Sequence, residues 1–504
     1  MSSPKTIVNI SDLSNLKLPK LQGVACVQGV TTMGELRKPI LITSWEEFEQ
    51  IYGAYHPDSL FPFYCEQALK NGAKLYVSRV AHYSDLEDLS TVEGDFASVS
   101  VGTNIVARGL HIGIGYNDVK VTISNGTNAS TQVNITIQKG KNKQELFDVP
   151  RNGTTLKEIN ALLGQRYGEK LLVVFTTSIG TKNFTNGTYT LTGGNQDINN
   201  ITDADYIGEK TTNTGWFAFD EIVDSTYIFN FDRPVPEVDI ALAEYCKARK
   251  DMRFVIRTPV ELNALGMEEY RMGTGAYSHT PIDTFLGKLV VGDIRVDYKG
   301  QKTIISPIAE VCALQMKKQF EWFSTAGPNR GKLSKAVLGS PYNLLSPALQ
   351  PEYDNIYQKG INAVGIHKTF GAVFWGNRTL LLDETKLLKF DNVADLAMYV
   401  RREILAIVEN FNFEPNDLLM FAQLYNAVLP FIESLEAGRA IHPTKWQWIG
   451  DQFASKVEEL QYNTPDDVQV GKYKARFLFA PIVSNEFVEI EAGVSDLGAF
   501  AEIV

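Results

Sequence analysis

The pattern that most constrains this fold is an interruption. From residue 23 to 90 the chain alternates strand and helix: "GVACVQGV" reads as a strand, "TSWEEFEQIYG" as a helix, and a second helix runs from about Ser59 to Lys70 and stops at "NG". "AKLYVSRV" follows as a buried strand. In the first helix Ser44 can accept the backbone amide of Glu47 while Glu47 reaches back, and Gly53 supplies the stop. Between about residues 91 and 200 the rule changes. "VKVTISNGTNASTQVNITIQKG" and "NGTYTLTGG" are rich in Thr, Val and Ile, with Asn-Gly turns at hairpin spacing. Then "VPEVDIALAEYCKARKDMRFVIRTP" leads an amphipathic helix into a hydrophobic strand. The α/β pattern has resumed, so the β-rich block is an insertion and the α/β domain is discontinuous.

The C-terminal part is helical first. "DNVADLAMYVRREILAIVENFNF" sets Val393, Leu396, Ala397, Val400, Ile404, Ile407, Val408 and Phe411 on one stripe, the spacing of a helix buried along one face. "NDLLMFAQLYNAVLPFIESLEAG" is a second helix, stopped by Gly438, in which Pro430 removes an amide donor and predicts a kink or restart. "FASKVEELQY" and "GKYKARFLFAP" then flank an acidic turn and predict a two-stranded hairpin over about 453–480.

The two chain ends alternate in period two. Thr6, Val8 and Ile10 lie between Pro4 and Pro19 in an extended arm of residues 1–22, and Val488, Ile490 and Ala492 alternate with Glu489 and Glu491 at the other end. No later strand exists for the second to pair with.

At 504 residues the chain divides into roughly three domains of ~150 residues each. It carries 48 Lys and Arg against 59 Asp and Glu, and the net charge of -11 opposes a general nucleic-acid binder. The four cysteines, Cys26, Cys65, Cys246 and Cys312, form no CxxC pair, so reduced packed thiols are expected rather than zinc or disulfides. No run reaches the ~18 to 20 uninterrupted apolar residues of a membrane span, and no basic-then-apolar leader is read at the N-terminus. Synthesis in the cytoplasm is expected. The sequons at Asn125, Asn152 and Asn186 are then turn dipeptides.

The sequence carries none of the common catalytic patterns. Neither GxSxG nor a Cys with a partnered His occurs, and His56, His82, His111, His279, His367 and His442 are dispersed, without HExxH. "AGPNRGKL" is similar to a phosphate loop, but its glycines are too close and no Ser or Thr follows Lys332. Glu46, Glu47 and Glu49 read as the solvated face of a capped helix. No cofactor, metal or catalytic residue is expected.

In order along the chain, "GVACVQGVTTMGELRKPILITSWEEFEQIYGAY", "KNGAKLYVSRV", "GTNIVARGLHIGIGYNDVKVTI", "LTGGNQDINNITDADYIG", "ALAEYCKARKDMRFVI", "AGPNRGKL", "INAVGIHKTFGAVFWGNRTL" and "VGKYKARFLFAPIVSNEFVEIE" resemble the contractile tail sheath family of bacteriophages and contractile injection systems. No one motif is specific, whereas the ordered series is. Lys38 departs from the small or valine-like residue common in the family, and residues 273 to 325 match loosely.

The resemblance implies an α+β multidomain subunit: arm 1–22, a central α/β domain of 23–90 and 201–365 that is subtilisin-like without the catalytic triad, a β domain of 91–200, a C-terminal α/β domain of 366–483, and arm 484–504. It further implies stacked hexameric rings of this chain around an inner tube, with baseplate and terminator proteins at the ends, and no nucleic acid or direct membrane contact. Assembly would take place in the bacterial cytoplasm, for a virion tail or a released or anchored particle. Thr6, Val8, Ile10, Val488, Ile490 and Ala492 would add strands to a neighbour, whose acceptor hairpin carries Val457, Leu460, Tyr473, Ala475, Phe477 and Phe479. Arg439 and Lys445 are the positions expected to face the tube. The alternatives are a baseplate or tube protein of the same machine, and a degenerate subtilisin-like hydrolase.

Overall fold

The computed structural model describes residues 23–152, 156–177, 180–196, 198–449 and 469–486. They fall into two compact units, the first of residues 1–319 and 325–389 and the second of 320–324 and 390–504.

The first unit begins with β1 (Val24–Gly29), β2 (Ile40–Ile42), α1 (Trp45–Tyr52), α2 (Phe61–Lys70) and β3 (Lys74–Arg79). Ser44 caps α1 through the Glu47 amide, but the Glu47 carboxylate reaches one residue further than a capping box requires and accepts from Thr43 N and Oγ1, each at 2.9 Å. Gly53 ends the helix at φ +82. The short edge strand β2 carried no separate sequence signal.

The insertion holds β4 (Ser98–Thr103), β5 (Ile105–Gly109), β6 (Lys120–Asn125), β7 (Gln132–Lys139), β8 (Asn142–Pro150), α3 (Leu156–Tyr167), β9 (Val173–Thr177), β10 (Asn183–Phe184) and β11 (Gly187–Thr190). Two four-stranded sheets, β10-β4-β5-β9 and β11-β6-β7-β8, share one core: Val101, Ile105 and Ala107 meet Val121, Ile135 and Ile137. The tight hairpins of the insertion are not at Asn-Gly. β4 turns into β5 across Thr103 and Asn104, and β7 into β8 across Gly140 and Lys141, with Asn104 at φ +54 and Gly140 at φ +55, whereas Asn125-Gly126 opens a longer loop held by Asp148 on the Thr127 amide. Leu156, Ile159 and Leu163 bury one face of α3, an element the β-rich reading of this block did not separate.

After α4 (Asp203–Ile207) the chain returns through β12 (Tyr227–Phe229), α5 (Pro236–Arg249), β13 (Arg253–Arg257), α6 (Ala264–Met272), β14 (Gly287–Val291), the hairpin β15 (Ile294–Tyr298) and β16 (Gln301–Ile305), α7 (Ile308–Met316), α8 (Gln350–Tyr357), β17 (Ile361–His367) and β18 (Gly371–Trp375). The resulting eight-stranded sheet has the order β18-β17-β14-β13-β12-β1-β3-β2. Its six middle strands are parallel and both edges antiparallel. Every residue of β1 is buried, which is why it reads as a run of small and apolar residues rather than an alternation, and its one polar side chain, Gln28, donates Nε2 to Tyr206 O at 2.7 Å. The boundary expected at 365/366 falls inside β17, and the C-terminal stretch of the second unit starts at Phe390. The paired strands β17 and β18 belong to the sheet, and sequence pattern alone does not register their partner.

In the second unit α9 (Asp391–Val408) and α10 (Leu418–Ala437) pack around Leu396, Val400, Phe421, Leu424, Val428, Ile432 and Leu435, with Trp322 over them donating Nε1 to Gly438 O at 3.0 Å. α10 does not restart at Pro430; it runs 20 residues. Pro430 and Asn426, whose carbonyl loses its donor, are exposed, so water can satisfy the group while the buried stripe continues. By length and composition α10 could also cross a membrane, yet that stripe is spent on the core.

One buried acid gives the fold a pH signature. Asp239 on α5 accepts from Asn230 Nδ2 at 2.7 Å and Tyr270 Oη at 2.6 Å. Burial raises its pKa to about 7, against the opposing hydrogen bonds. The unfolded chain loses this proton near 3.8, so between the two values folding takes up a proton and stability falls as pH rises, by up to about 1.4 kcal/mol per pH unit. Asp239→Asn is expected to remove this slope: its stability relative to wild type, read by denaturant titration, should climb from pH 4 to 7 and then level off.

Candidate assembly surface and the filled sheet crevice

Open α/β sheets carry ligand sites beyond the carboxyl ends of strands, where strand order reverses. Here that point lies between β1 and β12, and side chains fill it. Asp232 accepts from Val30 N at 3.0 Å and from Tyr206 Oη at 2.6 Å, and Arg257 Nε donates to Phe231 O at 3.0 Å. The Phe61 ring lies against Gly29, where an added Cβ would meet it at 2.3 Å.

The phosphate-loop-like segment, the histidines and the cysteines are also committed to structure. Gly327 N donates to Phe374 O, Gly331 N to Gly327 O within the loop, and Phe374 N to Gly331 O, so the glycine amides of "AGPNRGKL" are spent on β18 and on the loop itself rather than on a phosphate. His56 Nδ1 accepts the Asp58 amide, His82 Nδ1 lies 2.9 Å from Asp205, and burial pushes His111 down to about 4. All four cysteines are buried; burial pushes Cys26 up to about 12 and raises Cys65, Cys246 and Cys312 as well. Among the described residues no group of three or more His, Cys, Asp or Glu could hold a metal.

What remains open is a strand edge. In the second unit β19 (Ile441–Ile449) and β20 (Arg476–Pro481) form a two-stranded antiparallel ribbon, and among the described residues no third strand pairs with either outer edge. Trp448 is buried, and Trp446, Phe477 and Phe479 pack on the helical core, while Gln447 and Leu478 are exposed on the opposite face. Two strands with one apolar face are marginal without more sheet or a helix behind them.

Of the expected acceptor hairpin the structure describes only the second half. Phe477 and Phe479 lie on β20, which pairs with β19, with Trp448 opposite Phe477 and Trp446 opposite Phe479. Sequence reasoning missed β19 because Pro443 and Thr444, at φ +59, break the alternation before "KWQW". Tyr473 and Ala475 precede β20, and Tyr473 packs on Phe421 at 4.5 Å between ring centres. Val457 and Leu460 lie outside the described residues, as do the arm positions Thr6, Val8, Ile10, Val488, Ile490 and Ala492. Arg439 follows α10 at φ +58, and Lys445 is exposed on β19. Lys38, the departure from the family pattern, bonds Glu169 of the insertion at 2.7 Å.

No protein-family model and no curated protein matches this sequence. Solved structures do. A sheath tail protein from Listeria innocua aligns with a TM-score of 0.59 over 91% of this chain and 95% of its own, at 14% identity. A chain in the contracted sheath complex of an extracellular contractile injection system, PVC, gives 0.56 over 99% of both chains at 13% identity. The fold is that of tail sheath proteins. A chain in the baseplate of the anti-feeding prophage gives 0.53 over 98% of this chain and 100% of its own, at 12% identity. The tail-sheath fold thus runs through both units and the insertion.

Two outcomes follow from the filled interior. Gly29→Ala should lower the melting temperature, since overpacking at Phe61 costs about 1 to 3 kcal/mol. In the native protein Cys26, Cys65, Cys246 and Cys312 should resist iodoacetamide and all four should react in denaturant, as mass spectrometry would count.

Proposed function

We propose that this chain is the structural subunit of a contractile tail sheath. The observation that carries the reading is the likeness of fold along nearly the whole chain to sheath proteins, from bacterial tail sheaths to a contracted injection-system sheath. Subunits polymerise as stacked hexameric rings around an inner tube, between baseplate and terminator proteins. The central α/β domain serves as a subtilisin-like scaffold without a catalytic triad, and the subunit is not an enzyme. Assembly takes place in the bacterial cytoplasm, and the product is a virion tail or a released or anchored particle.

The arms 1–22 and 484–504 add strands to the ribbon of neighbouring copies, one on each edge, giving a four-stranded sheet and hiding edges that invite uncontrolled pairing. The lattice is metastable when extended and relaxes to a shorter, wider form as nearly rigid bodies, with the arms as tethers. About 1 to 3 kcal/mol of added interface per subunit, summed over a cooperative array, drives the tube without nucleotide. Arg439 and Lys445 face the tube. A second reading, a baseplate position, is favoured by the likeness to a chain of the anti-feeding prophage baseplate.

Negative-stain electron microscopy of the full chain, alone and with a co-expressed tube protein, is expected to show hollow, cross-striated cylinders. Single rings alone favour the baseplate, and unassembled particles under both conditions overturn the sheath reading. Deleting residues 1–22 should leave the circular dichroism of the folded subunit unchanged and abolish polymers or contraction; normal contracting cylinders from that variant would refute the tethers.

A further inference from the structure

The ribbon differs in charge from the rest of the chain. Residues 439–449 and 469–481 carry Arg439, Lys445, Lys472, Lys474 and Arg476 and no Asp or Glu, in a protein of net charge -11. Three of these cations form a file. Lys472, Lys474 and Arg476 alternate with Tyr473, Ala475 and Phe477, and Tyr473 and Phe477 pack on the helical core. Lys472 and Lys474 lie in the stretch that leads into β20 and Arg476 is its first residue; Lys472 and Arg476 are exposed, Lys474 is half-buried, and Ile449 is the residue opposite Arg476.

The two chain ends differ in charge as well. Residues 484–504 hold Glu486, Glu489, Glu491, Asp496 and Glu502 and no Lys or Arg, whereas residues 1–22 hold Lys5, Lys17 and Lys20 against Asp12 alone. In the acidic segment Val488, Ile490 and Ala492 alternate with Glu489 and Glu491. A strand added with its apolar side toward the core must put both glutamates on the face that bears the cations, at the same two-residue period. Neighbouring strands bring same-face side chains within about 5 Å, where opposite charges attract and like charges repel. The basic N-terminal segment would meet repulsion there. The edge of β19, interrupted by Pro443 and a register shift, has only Lys445.

We propose that the cation file Lys472, Lys474 and Arg476 makes the β20 edge the docking site for segment 484–504 of a second copy of this chain, with Glu489 and Glu491 beside the file, and leaves the β19 edge to segment 1–22. This rests on the strand-addition reading above and adds a charge code that assigns each arm its edge.

The test is fluorescence anisotropy of a labelled peptide copying residues 484–504, titrated onto the full chain at low and high salt. Saturable binding that weakens with salt is expected. Lys472→Glu with Arg476→Glu in the chain, or Glu489→Lys with Glu491→Lys in the peptide, should each weaken binding at least tenfold, and combining the two reversed partners should restore it. Circular dichroism and melting of the chain variant establish that it is folded. Equal binding of reversed and unmodified peptides to the native chain would overturn the charge code and leave strand addition standing. No binding of the unmodified peptide, or equal binding of a peptide of the same composition in scrambled order, would overturn strand addition itself.

Discussion

The guanidinium of Arg79 stands where the chain leaves one fold to build another. It closes β3, is buried, and donates to Gly34 O at 2.8 Å and Ile112 O at 2.9 Å while also meeting Gln196. Those partners come from the first α/β segment, the β5–β6 connection inside the insertion and the insertion's exit. Burial lowers the Arg79 pKa to about 10, so it stays charged at neutral pH and its carbonyl partners are costly to lose. Gln196 Nε2 returns a bond to Val80 O at 2.8 Å, so entry and exit are held at one point. An insertion rooted this way can leave and re-enter a sheet without disturbing the register of β1 between β3 and β12.

With the root fixed, the parallel sheet can be packed to exclusion. Phe61, Asp232, Tyr206 and Arg257 fill the place where an open sheet would admit a ligand, and the loop of Gly327 to Gly331 covers the edge of β18 with backbone bonds. Both choices leave a close-packed body, and close-packed interiors transmit strain rather than absorb it.

The second unit follows a different economy. Its helices bury one stripe, and its ribbon buries only one face, with aromatic side chains on the helices and polar or basic ones outward. Two outer edges without a paired strand among the described residues are the kind of feature that proteins cover, charge or pair.

Local pattern determined much of this. The capped helix at Ser44, the buried run of β1, the stripe of α9, the hairpin composition of the insertion and the fact of interruption all follow from residue spacing, because each is set by neighbours a few positions apart. The charge contrast between the two ends is also legible in the sequence. Tertiary structure decided what depends on distant partners: that β17 and β18 complete the central sheet, that β20 pairs with β19, that α10 runs unbroken past Pro430 because that side faces water, and that Asp239 is held between Asn230 and Tyr270. Spacing specifies which face of an element is apolar. Only packing against residues far along the chain decides what that face meets.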